Sequence, residues 1–149
     1  MKHHFSMMAA YNRWANVRLY DMAAALPESM FKKDVGVYFK SLHGTLNHLL
    51  ASDRIWMHRL EHVGGFPDKL NAVLFDDLAA LREARQLEDA RIARFVENLA
   101  EGDFDMQWEY RTLNGTPQRQ PIRDILAHLF NHQTPVSYTH LTLPTILRV

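Results

Sequence analysis

The chain of 149 residues has no cysteine, which excludes a disulfide framework, a thiolate metal site and a cysteine nucleophile in one step. Any metal site must therefore rest on His, Asp and Glu. Neither sign of charge is in excess, since 17 Lys and Arg face 17 Asp and Glu. With no basic block, a nucleic-acid partner has no electrostatic footprint. No uncharged run approaches the roughly 20 residues that span a bilayer, and the N-terminus MKHHFSMMAAYNRWAN lacks the apolar core of a secretion signal. No membrane partner is expected, and the expected location is cytoplasmic. Glycine-rich phosphate chemistry is also missing, because Gly64-Gly65 lacks the Lys and Ser or Thr of a phosphate cradle. What is present is an apolar fraction of 47%, enough for one domain with a real core.

Most of the chain has helical periodicity. From Ser6, a plausible N-cap, to Leu26, the residues Met7, Met8, Tyr11, Trp14, Leu19, Met22 and Leu26 recur at threes and fours, and Pro27 ends the segment. Trp14 is large enough to anchor this helix, with Asn12 and Asn16 read as solvated. A second helix is expected from Ser41 to about His62, stopped by Gly64 and Gly65. Its stripe is Leu42, Leu46, Leu49, Leu50, Trp56, Met57 and Leu60. A third runs from a cap at Asp76 or Asp77 to about Ala100. Leu78, Leu81, Leu87, Ile92, Phe95, Val96 and Leu99 form its buried side, and Arg82, Glu83, Arg85, Glu88, Asp89 and Arg91 form a solvated face. Alternation in WEYRTL and TPQRQ around Asn114-Gly115 predicts a hairpin. A fourth helix follows, with Pro121 in its first turn and Ile122, Ile125, Leu126, Leu129 and Phe130 on its apolar face. The fold class is all-α: an antiparallel four-helix bundle with a small β-hairpin before the last helix.

Two helices carry residues suited to chemistry. Asp53 falls within the leucine stripe, where an unpaired carboxylate would be costly, so it needs a partner. The candidates are Trp14, Arg13 and Arg54, or a metal-bound ligand that Asp53 would orient. His48 lies on a second face with Thr45, Ser52, Ile55 and Arg59, which is either solvated surface or the lining of a pocket. On the last helix His128 and His132 are four residues apart and share one side. One His from the second helix and this pair would give three nitrogen ligands and an open position, the pattern of catalytic divalent-metal sites.

YNRWAN in the first helix, SLHGTLNHLLASDRIW in the second and HLFNHQT in the fourth together resemble the DinB family of bacterial helical-bundle proteins, within the wider DinB/YfiT-like group of metal-dependent enzymes. The resemblance covers Tyr11 to Thr134. It implies a divalent metal, zinc or nickel, held between the helices by three histidines. The first ligand falls on His48, and the second on His132, which opens the family motif HxxxHRGQ. The third would stand at position 136, where this chain has Val136 preceded by Pro135. A proline inside a helix costs about 3 kcal/mol, so the fourth helix is expected to stop near Thr134. The tail VSYTHLTLPT, Val136 to Thr145, is similar to one reading frame of a sequencing-library adapter. Residues 1–134 are accordingly taken as the bundle and 135–149 as a non-native tail, in which His140 is not a ligand.

The activity implied is that of a metal-dependent hydrolase or thiol transferase. The partners are a small-molecule substrate, including a low-molecular-weight thiol, and a second copy of the chain in a homodimer. Asp53 is the candidate catalytic residue and His48 and His132 are the candidate metal ligands. With two of three ligands, the literal chain is expected to be inactive. The alternative is a non-catalytic helical bundle that binds a small ligand or partner in a stress response, for which the aromatic and Met residues of the first helix would supply the surface.

Overall fold

The computed structural model describes the backbone of residues 1–141 and the side chains of residues 1–133. The elements are α1 (Lys2–Ala24), α2 (Glu28–Phe31), α3 (Leu42–Glu61), α4 (Leu78–Asn98), a 3-10 turn (Glu101–Asp105), β1 (Gln107–Arg111), β2 (Pro117–Pro121) and α5 (Ile122–Leu141). The four long helices form the bundle, and the antiparallel strands pair from Gln107↔Pro121 to Arg111↔Pro117 immediately before α5. Gly115, at φ +84°, takes the left-handed position in the hairpin turn.

Local chemistry sets the helix ends. Ser41 caps α3 by accepting from the Gly44 N–H, and Asp77 caps α4 by accepting from Ala80. The left-handed residue ending α3 is His62 rather than a glycine, so the stop comes two residues before Gly64. α1 begins at Lys2, not Ser6. Its first turn is held because the Lys2 ammonium donates to the Glu97 and Leu99 carbonyls at the end of α4. Pro121 closes β2 instead of opening α5, and the polar link after α1 contains the short helix α2, whose Phe31 is buried. Helix α5 continues through position 135 to Leu141. Packing of Ile122, Ile125, Leu126, Leu129 and Phe130 offsets the roughly 3 kcal/mol that a proline costs in a helix. The sequence expectations for the side chains of Val136 and His140, and for the tail beyond Leu141, lie outside the described residues.

Cross-helix contacts give the direction of each helix. Asp21 meets Arg82 and Lys2 meets Glu97, so α1 and α4 are antiparallel. Asp53 meets Arg85 and Glu61 meets Arg91, so α3 and α4 run the same way, joined by the long return over residues 62–77. His48 meets His132 and Trp56 meets His128, which makes α3 and α5 antiparallel. Apolar side chains collect at the two ends of this bundle. Phe5, Ala9, Met57, Ile92, Phe104 and Leu129 fill one end, and Leu19, Tyr20, Leu42, Leu46, Leu81 and Ala84 the other. Between them α1 contributes Asn12 and Asn16, α3 Asp53, and α4 Arg85 and Asp89, all buried.

That polar layer reverses the sequence reading of two helices. Trp14 is 54% exposed, and Met7, Tyr11 and Met22 are exposed with it, while Asn12 and Asn16 point inward. The reason is electrostatic, because both amides donate to the buried Asp89 carboxylate, and a buried charge needs such donors. On α4, Arg85, Glu88 and Asp89 are buried and Leu87 is exposed, so the supposed solvated face is partly core.

One close approach fixes a residue type. A Cβ on Gly44 would stand 2.1 Å from the Phe39 carbonyl oxygen, well inside contact distance. Gly44→Ala should therefore destabilise by about 1–3 kcal/mol, visible as a lower urea midpoint. An unchanged midpoint would show that the segment before α3 moves freely.

Candidate functional site

The second face of α3 is interior. His48 is 4% exposed, and Thr45, Ser52 and Ile55 are buried with it, so it lines a pocket rather than meeting solvent. A cleft of about 720 Å³ opens over it, bordered by Lys32, Phe39, Lys40, His43 and Leu70. Phe39 stacks on the His48 ring at 3.8 Å between centroids. His48 Nδ1 lies 2.7 Å from the Leu70 carbonyl oxygen. A carbonyl only accepts, so Nδ1 carries a proton. This hydrogen bond to backbone is the usual way a ligating imidazole is oriented.

Helix α5 brings His132 to the same place, with ring centroids 5.3 Å apart. His132 Nδ1 is buried with no hydrogen-bond partner among the described residues, an orphan that calls for a ligand or water. Burial, with lesser contributions from His48 and His128, pulls the His132 pKa from 6.5 down to about 4. The ring is neutral at physiological pH, as metal ligation requires. The two imidazoles suit a divalent ion in their chemistry, and His132 does so in its protonation as well. His128 lies 6.2 Å from His132, centroid to centroid, and is exposed against Trp56. Among the described residues no three His, Asp or Glu side chains are grouped so that they could hold a metal ion.

Asp53 belongs to the polar layer, and it lines neither this cleft nor the one beside the hairpin. Its partners are not Trp14, Arg13 or Arg54. Its Oδ2 lies 2.7 Å from the Arg85 guanidinium and also accepts from the Gln133 amide, next to His132 on α5. Arg85 reaches Asp89 as well, at 2.9 Å. Its N–H groups do not point straight at either carboxylate, so the contacts are ionic and bent. Burial pushes the Asp53 carboxyl up to about 7, with Arg85 opposing and Asp89 reinforcing the shift. Burial alone would lower the Arg85 pKa, but Asp53 and Asp89 overcome it and the net direction is upward. One guanidinium between two carboxylates leaves a surplus negative charge, which protonation of a carboxyl relieves.

The sequence reading took Asn12, Asn16, Arg85 and Asp89 as solvated and gave Gln133 no role, whereas all five are buried. A signal was available in the matching four-residue spacings of Asn12 with Asn16 and of Arg85 with Asp89, two polar pairs each on one helix face.

Comparison with known proteins places the chain in a family. A family model described as "DinB family" matches residues 1–135. The chain is 22% identical over 131 residues to "Protein DinB" of Bacillus subtilis (strain 168), a match that covers 83% of this chain and 74% of the relative. No solved structure matches.

Proposed function

The chain belongs to the DinB family, and from that premise we propose that it derives from a divalent-metal-dependent enzyme centred on His48 and His132. The observation that carries this reading is the meeting of two imidazoles, one oriented by the Leu70 carbonyl and the other with a buried nitrogen lacking a partner among the described residues. A zinc or nickel ion held there would supply Lewis acidity. The reaction is a hydrolysis or the transfer of a low-molecular-weight thiol to a small substrate. The 720 Å³ cleft beside His48 has the size of a small-molecule site. Phe39 keeps water from one face of His48, and Lys40 places positive charge at the mouth, favouring an anionic thiolate or carboxylate. Asp53 acts as a positioning residue, because its grip on Gln133 fixes the turn of α5 that presents His132. The exposed stripe of Met7, Tyr11 and Trp14 on α1 supports a homodimer. No helix among the described residues is long and apolar enough to cross a membrane, which is compatible with a cytoplasmic location.

Titration of the purified chain with zinc in a calorimeter tests the centre. Wild type should show one weak site per chain, and His48→Ala should abolish it. Equal binding by His48→Ala would sink the assignment. A second reading is favoured by one observation, that only two candidate imidazoles meet among the described residues. In that case the cleft serves a non-catalytic binding module, and a ligand of the cleft would bind equally well with and without metal.

A further inference from the structure

A second cleft, of about 700 Å³, lies between the end of α3, the turn after it and the hairpin, and shares no lining residue with the His48 cleft. Its wall is unusually cationic. Arg59, Arg111 and Arg119 line it against one carboxylate, Glu109. Glu109 is already engaged by Arg119 across the strand pair, at 3.9 Å. Arg111 donates to the Gly115 carbonyl and has no carboxylate among the described residues.

Arg59 is the most telling of the three. It is half-buried, and its guanidinium lies 4.3 Å from the centre of the Trp56 ring and 5.2 Å from that of Tyr110. No carboxylate or hydrogen-bond acceptor contacts it among the described residues. Burial holds its pKa below the ordinary arginine value. The two rings fix the guanidinium plane and compensate part of its desolvation, but they leave its N–H donors unanswered, and a guanidinium fork matches an oxyanion. On the same cleft Phe66, whose outer edge lies beyond its contact with the His58 ring at 4.2 Å, and Leu113 offer apolar surface, 46% and 42% exposed.

We propose that this cleft binds a small organic anion, its oxyanion head on Arg59 and Arg111 and its flat apolar body against Phe66 and Leu113. The site is independent of the histidine centre, since no imidazole of that centre lines it.

The test is a titration of metal-stripped full-length chain with benzoate, phenyl phosphate and the neutral benzyl alcohol, followed through the Trp and Tyr resonances. Benzoate or phenyl phosphate should saturate one site, and whichever binds more tightly identifies the head group. Benzyl alcohol should bind at least about tenfold more weakly, and Arg59→Gln should weaken the anion by about tenfold or more. The Trp108 indole N–H, which donates to the Arg59 carbonyl, reports whether Arg59→Gln has disturbed the hairpin. If it has, the exposed Arg111→Gln decides, with about threefold weakening expected. The proposal is overturned if neither anion saturates, if the alcohol binds as tightly as the anions, or if affinity is unchanged in Arg59→Gln with an intact hairpin or in Arg111→Gln.

Discussion

Arg85→Met should lower the stability of the bundle by about 3–5 kcal/mol, the usual result of removing one partner from a buried ion pair. For a domain of about 5–15 kcal/mol this is a fifth or more of the total. The substitution keeps the volume and removes the charge. Asp53 and Asp89, 1% and 3% exposed, would then face each other with only Asn12, Asn16 and Gln133 as donors. A urea midpoint measured for Arg85→Met and for Arg85→Met/Asp53→Leu/Asp89→Leu separates charge from packing. The triple variant should recover most of the loss, because apolar groups of similar size replace a buried charge cluster at little cost. If it is no more stable than the single variant, packing rather than unpaired charge is what Arg85 supplies.

The same layer gives this prediction a sign in pH. The folded Asp53 pKa is raised from 3.8 to about 7, so the folded state binds this proton more tightly than the unfolded chain. The resulting stability is present at low pH and lost as pH rises through the folded value. Removing Arg85 takes away the cation that opposes the rise, so protonation becomes more favourable still. The deficit of Arg85→Met should therefore be smaller at about pH 5 than at about pH 8. An equal deficit at both would mean that the carboxylates stay ionised without their cation.

Arg85 also marks where sequence reasoning stops. α3 was legible because its leucines, the Ser41 cap and the end near His62 all agree. α4 has the same period, but a helix bearing Arg, Glu and Asp at alternate turns reads as solvated, and nothing local says that Asp53 waits on another helix. α1 failed for a related reason. Two of its faces satisfy a spacing of three and four, and Met7, Tyr11 and Trp14 outweigh Phe5, Ala9, Leu19 and Ala23 by size. The helix turns the smaller face inward because Asp89 needs Asn12 and Asn16. Of the candidate site, the resemblance named His48 and His132, and their rings do meet. The carbonyl that orients His48 belongs to Leu70, in a loop whose path the sequence does not encode in any periodic pattern.

Val136→His should tighten zinc binding by at least about tenfold, or about 1.4 kcal/mol. The backbone of α5 is helical from Ile122 to Leu141, so position 136 follows His132 by one turn, the spacing at which two side chains share a face. The imidazoles of His48 and His132 already meet at 5.3 Å between centroids, and a third nitrogen beside them would give the three-ligand set that the proposed zinc centre needs. Calorimetry on wild type, Val136→His and Val136→His/His48→Ala gives the answer. The double variant should fall back to the wild-type level or below, because the new ligand strengthens the centre only with His48 in it. If Val136→His binds zinc no more tightly than wild type, position 136 supplies no third ligand and the three-histidine centre of His48, His132 and position 136 is wrong. His128, whose ring is 6.2 Å from that of His132, is then the side chain to remove next. A loss of binding in His128→Ala would move the centre from the α3 side of His132 towards Trp56.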